Sequence, residues 1–88
     1  MYNIKIYGND QWKACVVLKE DLSSKNVDYT YMDILSNLGT LKEYLHYRDN
    51  EKGFEKYKES GKLGIPLVIM ETDSETKIII EPYKVDFI

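Results

Sequence analysis

The period of the hydrophobic positions changes several times along this chain, and each change marks an element. Residues 2–7 read YNIKIY. Ile4 and Ile6 lie two apart with Tyr2 and Tyr7 at the flanks, a pattern that predicts a short strand closed by Gly8-Asn9-Asp10. Asn9 or Asp10 is suited to cap a helix starting just after this turn. Ala14, Cys15, Leu18 and Leu22 then recur at helical spacing, with Lys19, Glu20 and Asp21 on the wet side. Asn26 is a left-handed stop for this helix, because Asn tolerates positive φ better than most residues. Residues 27–34, VDYTYMDI, alternate bulky and polar side chains and are rich in β-branched and aromatic types, so they predict a second strand. Two strands joined by one helix make a βαβ unit, with parallel strands and a right-handed crossover.

Ser36 or Asn37 caps a second helix whose apolar positions are Leu38, Leu41 and Leu45. Asp49-Asn50 marks a break. A third helix is expected near residues 50–60, with Phe54 and Tyr57 inward and Gly61 just past its end. Gly64-Ile65-Pro66 leads into the dense run Leu67-Val68-Ile69-Met70. Thr72-Asp73-Ser74 reads as a turn within a solvated acidic segment, and Lys77-Ile78-Ile79-Ile80 returns as a fourth strand, close enough to form an antiparallel hairpin with the third. No repeat, low-complexity segment or linker interrupts residues 1–88, so the chain reads as one α/β domain: a four-stranded mixed sheet flanked by helices.

Composition narrows the function classes. Hydrophobic residues make up 43% and charged residues 31% of 88, an ordinary folded composition. The net charge is −3 with lysines and acids interleaved, so the basic footprint of a nucleic-acid binder is missing. No apolar run approaches the roughly 20 residues of a membrane span. The start, MYNIKIYG, lacks a basic segment followed by an apolar stretch, so no signal peptide is expected and the cytoplasm is the expected compartment. One cysteine, Cys15, excludes an internal disulfide framework and a cysteine zinc site, and the single His46 has no second histidine at ligand spacing. No metal is expected.

Several stretches together resemble the glutaredoxin-related proteins of bacteria, in the glutaredoxin branch of the thioredoxin fold. They are KIYG at 5–8, a cysteine in the first turn of the following helix, DYTYMDI at 28–34, LKEYLHYRD at 41–49 and FEKYKESGKLGIPLVI at 54–69. The resemblance covers about residues 3–80. It implies a thioredoxin-like fold, a cis bond before Pro66, and a groove in which the residue before that proline offers its backbone to an extended peptide.

Two departures qualify what it implies for activity. The family has Cys-x-x-Cys where this chain has Trp12-Lys13-Ala14-Cys15. The first family cysteine is the attacking thiolate, with its pKa depressed at the helix N-terminus; the second, more buried, resolves the mixed disulfide. Here the attacker is tryptophan and only the resolving position, Cys15, remains. Glutathione-using members also follow the fourth strand with a Gly-Gly turn and a helix that cradles a carboxylate. This chain continues EPYKVDFI, so a C-terminal helix is expected to be short or absent and half of a glutathione clamp is missing.

Cys15 therefore has two readings: a small buried hydrophobe on the inner helix face, or a thiolate lowered by the helix N-terminus and by Lys13. Trp12 either covers core edge or presents its indole where family substrates dock. Four tyrosines, Tyr29, Tyr31, Tyr44 and Tyr57, are expected to pack with their hydroxyls reaching water. The expected function is a non-catalytic or weakly active module that binds an extended peptide or a protein thiol through Trp12, Lys13, Ile65 and Pro66. No cofactor is expected, and glutathione would bind weakly. The alternative is an active glutathione-linked thiol–disulfide oxidoreductase using Cys15.

Overall fold

The computed structural model describes residues 2–61, 63–80 and 82. The chain is α/β: strand β1 (Tyr2–Gly8), helix α1 (Lys13–Ser24), strand β2 (Thr30–Asp33), helix α2 (Leu38–Asn50), a 3₁₀ turn at Lys52–Phe54, helix α3 (Glu55–Ser60), and strands β3 (Leu67–Thr72) and β4 (Thr76–Ile79). The four strands form one mixed sheet in the order β2-β1-β3-β4. β1 and β2 run parallel, with Ile6 level with Tyr31 and Gly8 with Asp33. β3 runs antiparallel to β1, with Tyr7 opposite Leu67, and β4 antiparallel to β3. The βαβ unit and the terminal hairpin are as the sequence predicts. The expectation for the end of the chain falls on residues 81 and 83–88, outside the described residues.

Alternation along β1 sorts the core into two layers. Ile4 and Ile6, with Val68 and Met70 of β3, pack against Leu18 and Leu22 of α1. The other face carries Tyr7, Leu67, Ile69 and Ile34, and is covered by Tyr44 of α2, Phe54, and the half-buried Leu41, Tyr47 and Tyr57. On that same face Lys5 is exposed and approaches Glu71 at 3.9 Å, so the second layer covers only the half nearer the end of β1. Each fully buried Leu or Ile contributes roughly 1.5–3 kcal/mol by leaving water.

Several local expectations shift by a residue or more. β2 begins at Thr30 rather than Val27. Asn26 does adopt the left-handed conformation, φ 58°, but the Val27 N–H then bonds back to the Leu22 carbonyl at 2.9 Å, which ties that residue to the helix end. α2 continues through Asp49-Asn50, and the break comes at Glu51, after which Lys52–Phe54 wind as 3₁₀ before α3. Gly61 closes α3 in the left-handed conformation, φ 77°.

Of the leucine row, only Leu41 lies on the inner face of α2. Leu38 is 65% exposed and Leu45 is also exposed, whereas Thr40 and Tyr44 are buried. Tyr44 fills the space between β1, the 3₁₀ turn and the loop before β3: its ring meets Phe54 edge-on at 6.1 Å and its hydroxyl donates to the Leu63 carbonyl. A tyrosine that can satisfy its hydroxyl internally buries a larger apolar body than leucine.

Candidate functional site

The parallel arrangement of β1 and β2 brings the turn Asn9–Trp12 and residues 34–36 to one end of the sheet. The antiparallel start of β3 brings residues 63–66 to that same end. All four sequence-predicted site residues besides Cys15 lie on these loops or at the helix start beside them.

The loop is held by Asn9, which is nine-tenths buried. Its side-chain oxygen accepts the Gln11 N–H at 2.9 Å, its amide donates to Asp33 Oδ1 at 2.9 Å, and its carbonyl accepts the Trp12 N–H at 3.0 Å. Asp33 in turn accepts the Leu35 N–H. Neither Asn9 nor Asp10 caps α1. Asn9 is drawn into this bridge between the β1 and β2 loops, and the N-cap position is Trp12, extended at φ −101° and without a side-chain cap bond. At α2 the expected cap is present: Asn37 accepts the Thr40 N–H at 2.8 Å.

Trp12 is 52% exposed, just outside the first turn of α1, and Lys13 is exposed beside it. Cys15 is fully buried. A glycine at position 8 makes this possible, because a Cβ there would lie 2.7 Å from the Cys15 Sγ and 3.3 Å from the Tyr31 hydroxyl. α1 thus sits close against the end of β1, and Cys15 joins the core cluster of Tyr7, Tyr44 and Ile65.

Burial pushes the Cys15 thiol up from its ordinary value, and the Asp10 carboxylate adds to this. The Asn9 backbone, the Tyr31 hydroxyl and the Lys19 ammonium work the other way and do not overcome it. Such a thiol stays protonated and is a poor nucleophile.

The cation near Cys15 is Lys19, one helical turn further on, not Lys13. Its ammonium lies 2.7 Å from the Asp10 carboxylate and 4.0 Å from the centre of the Tyr31 ring, and its side chain is mostly covered. Lys19 therefore leaves the wet side to which its helical position assigns it. The ammonium holds the Asp10 carboxyl below the ordinary carboxylate range, with the Tyr31 hydroxyl acting in the same direction. Tyr31 is shifted upward, by burial first and then by Asp10. Its hydroxyl is buried and makes no hydrogen bond of good geometry, so it does not reach water as expected of the four tyrosines. Sequence reasoning missed Asp10, Lys19 and Tyr31 as neighbours of Cys15. The four-residue spacing of Cys15 and Lys19 was the one available signal.

Ile65 and Pro66 are both buried, joined by a cis peptide bond, with Gly64 ahead of them at φ 79°. A Cβ on Gly64 would meet the Phe54 ring at 3.0 Å, so both conformation and space require glycine. The side chains of Ile65 and Pro66 belong to the core, and a ligand at this loop would meet main chain. Among the described residues, no group of three or more His, Cys, Asp or Glu is placed to hold a metal ion. Among the same residues, no helix is long and apolar enough to cross a membrane.

Comparison with known proteins adds one relative. An uncharacterized protein of Haemophilus influenzae (strain Rd) is 34% identical over 50 residues, which span 57% of this chain and 58% of that protein. The match thus reaches little over half the length of either chain. No protein-family model matches, and neither does any solved structure.

Proposed function

We propose that this chain has a thioredoxin-like fold of the glutaredoxin type, with the attacking cysteine replaced, and that it works as a docking module for extended peptides rather than as a thiol–disulfide oxidoreductase. The observation that carries this reading is the contrast within one helical turn. The Cys15 thiol is fully buried with its pKa raised, while Trp12, where the family's attacking cysteine stands, presents half of its surface to solvent. Thiol–disulfide exchange begins with an accessible thiolate, and an indole cannot supply one. The sheet order β2-β1-β3-β4 and the delivery of residues 63–66 to the same end as Trp12 support the fold assignment.

In this reading the Ile65 main chain offers hydrogen bonds to an extended ligand, the indole of Trp12 supplies contact area, and Lys13 attracts a carboxylate at the rim. Backbone recognition of this kind needs no thiol. Residues 81–88, EPYKVDFI, carry no Gly-Gly pair of the kind that glutathione-using members have after the fourth strand, so glutathione is expected to bind in the roughly millimolar range, where about 4 kcal/mol is available.

Fluorescence of Trp12, the one tryptophan of the chain, tests the proposal directly. Unstructured peptides are expected to shift its emission saturably and more tightly than glutathione. Tight glutathione binding, together with disulfide-reductase turnover abolished by Cys15→Ser, would establish the oxidoreductase instead. An indole that responds to no peptide would remove the docking function.

A further inference from the structure

We draw no further inference here: the strongest candidate, the exposed apolar side chains Trp12, Leu35, Leu38 and Leu63 carried on the loops and helix starts around the end of the sheet where β1 and β2 finish, is an uncovered surface with nothing in the structure to show what covers it.

Discussion

A methyl group on Gly8 would lie 2.7 Å from the Cys15 Sγ, a separation that one of the two elements must open. Gly8→Ala is expected to destabilise the domain by about 1–3 kcal/mol, the usual range for overpacking a tight site. Removing the sulfur should return part of that loss. Urea unfolding of Gly8→Ala, Cys15→Ala and the double variant is expected to show non-additivity of at least about 0.5 kcal/mol; additive effects would mean that glycine and thiol do not share this contact. The thiol itself should be silent in the folded state. Its labelling by a disulfide reagent is expected to be slowed by about a thousandfold relative to the unfolded chain, the open fraction of a domain stable by roughly 4 kcal/mol. Rapid labelling of the native protein would return Cys15 to the nucleophiles. Its raised pKa has a consequence for stability as well. The native state holds the thiol proton more tightly than the unfolded chain. The resulting stabilisation is therefore complete below about pH 8.5 and is lost as pH rises through the native value. Tyr7, Tyr31 and Tyr44, all shifted upward chiefly by burial and Tyr44 to about 12, act in the same direction above about pH 10. Denaturation measured across alkaline pH should show stability falling from about 8.5, and Cys15→Ala should delay the fall until the tyrosines titrate.

At the scale of elements, α2 is where local pattern and tertiary packing disagree most. Leucines at 38, 41 and 45 propose one inner stripe, and the fold keeps Leu41 but uses Thr40 and Tyr44 in place of Leu38 and Leu45. Tyr44→Phe keeps the ring and leaves the Leu63 carbonyl without its donor, which should cost about 1 kcal/mol. Tyr44→Ala should cost about 3–5 kcal/mol, as aromatic-to-alanine changes in a core do. Leu38→Gln, on an exposed position in the first turn, should stay within about 0.5 kcal/mol. Asn37→Ala removes the bond to the Thr40 N–H and should cost about 1 kcal/mol. Denaturant midpoints of the four variants test the orientation of the helix, and a Leu38 effect larger than that of Tyr44 would mean that α2 is turned the other way. The start of α1 behaves differently. Its N-cap lacks a side-chain bond, and the residue best suited to provide one, Asn9, is engaged with Asp33 on the next strand.

For the whole molecule, the arrangement of β1, α1 and the loop before β3 makes Trp12→Cys the informative change. It creates Cys-Lys-Ala-Cys at the head of a helix in which Cys15 is already buried. Under a mild oxidant the variant is expected to lose two hydrogens and form a disulfide between positions 12 and 15, because a cysteine at the helix start has a lowered pKa and an adjacent thiol to capture. In a glutathione-coupled disulfide reduction assay the wild-type chain should give the uncatalysed rate and Trp12→Cys a measurable one. A wild-type rate matching a dithiol enzyme would overturn the proposed function. A variant that stays reduced would mean that the first turn is not arranged for exchange. The same substitution removes the exposed indole, so it should also weaken peptide docking.

The order of elements, the closing hairpin, the left-handed stop at Asn26 and the helix end at Gly61 were legible in the chain, because each rests on residues within a few positions of one another, and the parallel pair followed from the helix between its strands. Periodicity, β-branching and tolerance of positive φ are short-range properties. Cys15 was likewise readable as an inner-face residue, from its spacing with Leu18 and Leu22. The sequence did not determine which groups would meet across the fold. Asn9 is claimed by Asp33, 24 positions away. Lys19 turns from solvent to Asp10 and the face of Tyr31. Tyr44 is buried where Leu38 and Leu45 are not, and a carbonyl 19 positions further on accepts its hydroxyl. Burial of the thiol depends on a missing Cβ on another element. These choices are made by hydrogen bonding and steric fit between distant segments, and they take effect only once the sheet has brought those segments to one end.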